Sequence, residues 1–203
     1  VKKYCLYKVY KECDSSSTIE NLILSYFTAN NIATQTSNIE KSDIVIFITC
    51  IATNLAEKQT RKIILRAHHE LKDKTIIVAG CFPKAIEDSF PDIIFIKSLT
   101  LNKLDNIFAP KVSIDAIKVY NHTNYFTEQY NSAYILKIVD GCVHKCSYCS
   151  IRLIKGAVSS QKLADVTEEF TKAFNDGHKR FVLLADDCGS YGADIGTDFA
   201  KLI

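Results

Sequence analysis

Apolar positions along the chain follow two alternating periods. Residues Lys3 to Tyr10 alternate apolar with polar and carry Tyr, Leu and Val, the pattern of a strand. Asp14-Ser15-Ser16-Ser17 then offers N-cap residues, and Ile19, Leu22, Ile23, Tyr26 and Phe27 keep helical spacing up to Asn30-Asn31. Asp43 to Ile48 is a continuous apolar run, as expected of a strand covered on both faces. A second helix is predicted from about Asn54 to Leu71. Leu55, Ile63, Ile64 and Ala67 are expected to face inward, with Glu57, Lys58, Arg61, Lys62 and Arg66 outward. Thr75 to Ala79 and Ile93 to Ile96 read as further strands, with a short helix near Leu99 to Phe108.

Strand-helix alternation of this kind predicts a doubly wound parallel sheet, with helices on both faces, over residues 1–109. Ligands of such sheets bind beyond the carboxyl ends of the strands. Cys13, Cys50 and Cys81 each follow the carboxyl end of a different predicted strand. Three placements at one rim point to a shared metal site. The plainer alternative is that each is a small buried hydrophobe, a common role for free cysteine. Cys5 lies inside a strand and fits that plainer role. His68-His69 and the basic run Lys58 to Arg66 read as solvated helix surface.

From Ala109-Pro110 to about Tyr130 the periodicity fades, which predicts a linker over 110–131. Tyr125, Phe126 and Tyr130 are expected to pack on either domain, and His122 to be exposed. Ala133 to Val139 is the next predicted strand. A helix from about Lys162 to Asn175, stopped by Gly177, leads to a strand at Phe181 to Ala185. Residues 132–203 thus read as one βαβ unit, the start of a larger barrel or open sheet, and the chain as a truncated part of a longer enzyme.

Composition narrows the setting. No apolar run approaches the roughly 20 residues of a membrane-spanning helix, and the N-terminus has no signal-peptide core. A cytoplasmic protein without a membrane partner is expected. The net charge of +2 does not by itself argue for a nucleic-acid surface. Eight cysteines in such a protein point to metal ligands or redox groups rather than disulfides.

Three of the eight are local. Gly141-Cys142-Val143-His144-Lys145-Cys146-Ser147-Tyr148-Cys149 spaces its thiols C-x3-C-x2-C, directly after a strand. Three thiolates converge on one soft centre, and on a four-iron cube they leave one iron open. A structural zinc or an electron-transfer cluster normally takes four ligands. The missing fourth argues for chemistry. A zinc site completed by a residue such as His144, or a module without radical chemistry, is the alternative.

The spacing, with an aromatic residue before the last cysteine, is similar to the signature of radical S-adenosylmethionine enzymes. Asp140-Gly141-Cys142 to Gly156, with Leu184-Ala185-Asp186-Asp187 and Tyr191-Gly192-Ala193-Asp194, resembles their methylthiotransferases. Cys13 near an acidic-Ser segment, Thr49-Cys50 and Gly80-Cys81 resemble the N-terminal domain of those enzymes. The chain departs from the usual pattern at Glu12, at Ile48 in place of Asn, and at Asp186-Asp187 in place of a Gln-containing pair. The resemblance implies a partial TIM-like radical barrel beginning at 132 and two [4Fe-4S] clusters. Cys142, Cys146 and Cys149 would hold the cluster that chelates S-adenosylmethionine. Cys13, Cys50 and Cys81 would hold an auxiliary cluster that carries the transferred sulfur. Tyr148, Asp186 and Asp187 are expected beside S-adenosylmethionine. The implied activity is insertion of a methylthio group at an unactivated C–H, with electrons from a flavodoxin or ferredoxin. The run Gly189 to Gly196 looks closer to the branch acting on a tRNA adenosine beside the anticodon. The segment Ile151 to Gly156 looks closer to the branch acting on a ribosomal-protein aspartate.

Overall fold

Five parallel strands order the first half of the chain. The computed structural model describes residues 2–11, 13–117, 133–149 and 154–203, which fall into two units, Val1–Val119 and Tyr120–Ile203. The first unit runs β1 (Lys3–Lys8), α1 (Asp14–Asn30), β2 (Thr34–Gln35), β3 (Ile44–Thr49), α2 (Asn54–Glu70), β4 (Thr75–Gly80), α3 (Lys84–Ser89), β5 (Ile94–Lys97) and α4 (Lys103–Phe108). The sheet order is β2-β1-β3-β4-β5, with parallel pairing throughout.

Burial explains why β3 lacks alternation: all six of its residues are buried. Its side chains point to opposite faces in turn. Ile44, Ile46 and Ile48 join Ile19, Ile23 and Phe27 of α1 and Leu104 of α4 in one core cluster. Val45 and Phe47 join Ile64 and Ala67 of α2, with Phe82 and Ile86, in another. Helices therefore cover both faces, as a doubly wound sheet requires. Asn31 stops α1 in the left-handed conformation.

The helix α2 keeps the expected bounds, but Leu55 is 58% exposed rather than buried. It lies in the first turn, where the inward stripe starts only at Ala56 and Thr60. Two short elements, β2 and α3, add to the expected set. Residues Val112 and Ile114 belong to the first unit: Val112 exchanges backbone hydrogen bonds with the Asn30 side chain, and Ile114 is in the core. Tyr125, Phe126, Tyr130 and His122 lie outside the described residues.

The second unit contains β6 (Tyr134–Asp140), β7 (Ser159–Ser160), α5 (Leu163–Asn175), β8 (Phe181–Ala185) and α6 (Phe199–Leu202). β6 and β8 pair in parallel, and β7 pairs antiparallel on the other edge of β6. Ile138 and Val139 pack with Val166 of α5 and Tyr191, so the helix crosses over between parallel strands as a βαβ unit does. No helix among the described residues is long and apolar enough to cross a membrane.

Candidate metal centres

In the first unit, β1, β3 and β4 are adjacent strands, so the residues after their carboxyl ends share one rim. The register sharpens this. Thr49 pairs with Gly80, which sets the next residues, Cys50 and Cys81, level with each other. Gly80 has φ +116, and a Cβ there would meet the Thr49 carbonyl oxygen at 2.6 Å. Only glycine permits so close a crossing at that angle. Cys13 begins α1, whose N-terminal dipole favours a thiolate.

The thiols of Cys13 and Cys50 hydrogen-bond each other. That bond, aided by Ser16 and opposed by burial, lowers Cys13 to about 6. The same bond with burial, and the nearby charges of Cys13 and Cys81, raise Cys50. One thiolate is thus favoured in the pair and the second proton is retained. The Ala52 N–H donates to Cys50 Sγ at 3.4 Å, and Thr60 Oγ1 donates to the Cys50 carbonyl at 2.9 Å. Lys8 lies close enough to Cys13 to favour its charge, and its ammonium donates to Ser17 Oγ. Cys5 sits inside β1, buried, its thiol pushed up by desolvation.

The second unit carries its three thiols on one loop after β6. Cys146 is exposed, Cys142 and Cys149 are half-buried, and Tyr148 is 90% exposed. A turn bond from Cys149 N–H to the Cys146 carbonyl spans 3.2 Å. The His144 N–H donates to Cys142 Sγ at 3.4 Å. Gly141, at φ +81, places its α-carbon where a Cβ would stand 3.0 Å from the Ala157 carbonyl oxygen. A glycine at positive φ therefore precedes one cysteine in each unit.

The aspartates after β8 have distinct tasks. Asp186 Oδ2 accepts the Gly141 N–H at 2.7 Å and pairs with Lys155 Nζ at 2.8 Å. Lys155 also pairs with Asp140 Oδ1 at 2.8 Å, and Asp140 Oδ2 with Lys137 Nζ at 2.5 Å. Burial opposes the charge on Asp140, yet the two ammonium groups hold its carboxyl below the ordinary range. Lys155 is likewise penalised by burial, and its two carboxylates hold it above the ordinary lysine value. Asp187 turns to the cysteine loop instead. Its Oδ2 accepts from Ser190 Oγ at 2.5 Å and from Cys142 Sγ at 3.5 Å, with His144 Nε2 at 3.4 Å. The Ser190 hydroxyl is the main reason that the Asp187 carboxyl lies below its usual value. Ser190 Oγ also accepts the Val143 N–H at 3.0 Å. The geometry therefore singles out Lys155, Asp140 and Ser190. Beside near neighbours such as Lys137 and Asp187, their partners come from separate segments, Lys155 meeting Asp140 and Asp186 and Ser190 meeting Val143.

The donor sets suit a cluster. All eight cysteines are free thiols, and each unit offers three with backbone N–H groups directed at a sulfur, the kind of bond that tunes cluster ligands. A cube takes each cysteine on a different iron, so the sulfurs stand around it rather than converge on a point. Among the described residues, the set close enough for a single ion is Cys142, His144 and Asp187, all within 4.8 Å of one another.

Residues 12–99 match the Uncharacterized protein family UPF0004. The chain is also similar to the ribosomal protein uS12 methylthiotransferase RimO of Helicobacter hepaticus, 28% identical over 80% of this chain and 38% of the relative. RimO of Carboxydothermus hydrogenoformans is 31% identical over 82% and 40%. A probable threonylcarbamoyladenosine tRNA methylthiotransferase of Methanocaldococcus jannaschii is 27% identical over 82% and 40%. The chain thus spans about two fifths of the length of these relatives.

Proposed function

We propose a function from one premise: the chain belongs to the methylthiotransferase family. On this reading it contributes the two cluster-bearing parts of an enzyme that replaces an unactivated C–H with a methylthio group. The observation that carries it is the pair of three-cysteine sets, each at the carboxyl ends of parallel strands. Cys13, Cys50 and Cys81 are assigned to the auxiliary cluster. Cys142, Cys146 and Cys149 are assigned to the cluster that binds S-adenosylmethionine. That second group supplies, when bound, reductive cleavage of S-adenosylmethionine to a carbon radical that abstracts hydrogen.

The chain's own residues have defined work in this scheme. The Ala52 and His144 N–H groups stabilise ligand thiolates. Ser190 fixes the loop through Val143 and orients Asp187 toward Cys142. Asp187 is the carboxylate presented at the loop and is assigned to the amino group of S-adenosylmethionine. Tyr148, free of neighbours that would bury it, is assigned to cover the cofactor. Asp186 serves the same site from behind, through Gly141. A flavodoxin or ferredoxin supplies the electron.

The run Gly189 to Gly196 puts a tRNA adenosine beside the anticodon first as substrate. The relatives named for uS12 favour a second reading, an aspartate of that ribosomal protein. Mass spectrometry of tRNA nucleosides and of ribosomal proteins, from cells with and without the gene, tests both. Loss of a methylthio nucleoside supports the first reading, and loss of the protein modification the second. No change in either pool rejects methylthio transfer.

A further inference from the structure

The Lys155 side chain is 3% exposed, although a lysine is seldom buried without a reason. Its ammonium closes a chain of alternating charge, Lys137–Asp140–Lys155–Asp186, with links of 2.5, 2.8 and 2.8 Å. The four charges sum to zero. They come from three places: Lys137 and Asp140 from β6, Lys155 from the short helical stretch before Gly156, and Asp186 from the residue after β8. Asp186 adds the Gly141 N–H, so one cluster of side chains pins the loop where it leaves β6 and where it returns. The segment after β8 also holds the loop through Val143–Ser190, Cys142–Asp187 and His144–Asp187 contacts.

Electrostatics gives the arrangement a second consequence. Asp140 stands two residues before Cys142, and Asp186 bonds the residue just before it. A thiolate-bound cluster is itself anionic, and reduction adds another negative charge. Unpaired, two buried carboxylates at this spot repel both the thiolates and the incoming electron. Paired with Lys155 and Lys137, they do not.

We propose that Lys155 is the positioning residue of the cysteine loop, and that it offsets the strand-end aspartates so that an anionic cluster can be held and reduced there. This rests on the assignment of a cluster to Cys142, Cys146 and Cys149.

The test is anaerobic reconstitution of the full chain with iron and sulfide, followed by iron counting and dithionite titration monitored by electron paramagnetic resonance. The unsubstituted chain is expected to hold about eight irons, about four per cluster. Lys155→Met is expected to lose iron at the loop while the signal of the first unit's cluster persists. Whatever loop cluster remains should reduce at a more negative potential. Lys155→Arg keeps the charge and should restore loading. Asp186→Asn keeps an acceptor for Gly141 but removes a negative charge, and should move the loop cluster's midpoint positive.

A Lys155→Met protein with full iron and an unchanged midpoint overturns the inference. If that variant does not fold by circular dichroism, Asp186→Asn decides: a positive shift supports the inference and an unchanged midpoint rejects it. A different failure is recognisable. If the unsubstituted chain loads no iron that depends on Cys142, Cys146 and Cys149, the cluster assignment is wrong before Lys155 is considered.

Discussion

The two cysteine sets reach similar ends by opposite routes. Cys13, Cys50 and Cys81 are far apart in sequence, and a hydrogen-bonded sheet brings them together: adjacent strands, matched register and a glycine crossing. Cys142, Cys146 and Cys149 are neighbours in sequence on a loop without regular structure, held from outside by buried ion pairs and a serine. The first set stands on the strand ends of a buried sheet. The second owes its shape to a few polar contacts, each removable by one substitution.

The largest effect that bears on this comparison is on iron. Replacing Cys142, Cys146 and Cys149 together with Ala should halve the iron, leaving about four per chain, and abolish methylthio transfer by the full enzyme. Retention of no iron would remove Cys13, Cys50 and Cys81 from the ligand list. The next largest is Gly80→Ala. Forcing a Cβ to 2.6 Å from the Thr49 oxygen at φ +116 should destabilise the first unit by about 2 kcal/mol or more. Urea unfolding measures it, and the iron held by the second set should be unaffected.

The fold was more legible than the sites, for a physical reason. Continuous apolar runs such as Ile44 to Ile48 are dictated by burial on both faces, and they mark where the sheet ends and the cysteines begin. Short elements escape that logic. β2 has two residues, both exposed, and α3 has six in all, too few to show a period. Leu55 misleads because an apolar residue at a helix start need not lie on the inward stripe. The links among Lys155, Asp140 and Asp186 are invisible in principle, since ion pairing leaves no periodic trace in a sequence. Asp186 and Asp187 were visible as a pair. Only geometry separates the one that anchors from the one that faces a sulfur.

Smaller effects separate the sets by pH. Asp140 is depressed in the fold, so its contribution is present above the ordinary carboxylate range and lost as pH falls through its lowered value. Lys155 is raised, so its contribution is present below the ordinary lysine value and lost as pH rises through its higher one. Stability of the second unit should therefore be flat from about pH 5 to pH 10 as far as these ion pairs decide it. Urea titration in which Lys155→Met leaves the stability of the second unit unchanged across that window would contradict the pairing. In metal-free protein, alkylation of Cys13 should rise with a midpoint near its value of about 6, while Cys50 stays slow. Peptide mapping after iodoacetamide distinguishes them, and equal rates would break the thiol pair. The smallest expected effect is His144→Ala, which should leave iron unchanged. Loss of metal in that variant would favour the single-ion set of Cys142, His144 and Asp187.

The anchoring of the loop by Asp186 bears on how the protein is made. During synthesis Cys81 follows Cys13 and Cys50 with β4 already complete, so the first set has its whole frame as soon as that strand pairs. The second set emerges as a unit, but its carboxylate anchor is translated only after α5 and β8. For that interval the segment has its Lys155–Asp140 pair but lacks the Asp186 and Ser190 ties. Under the proposed assignment, a cluster delivered to this loop meets its full set of anchors only after β8 has left the ribosome, and the first unit has no such delay.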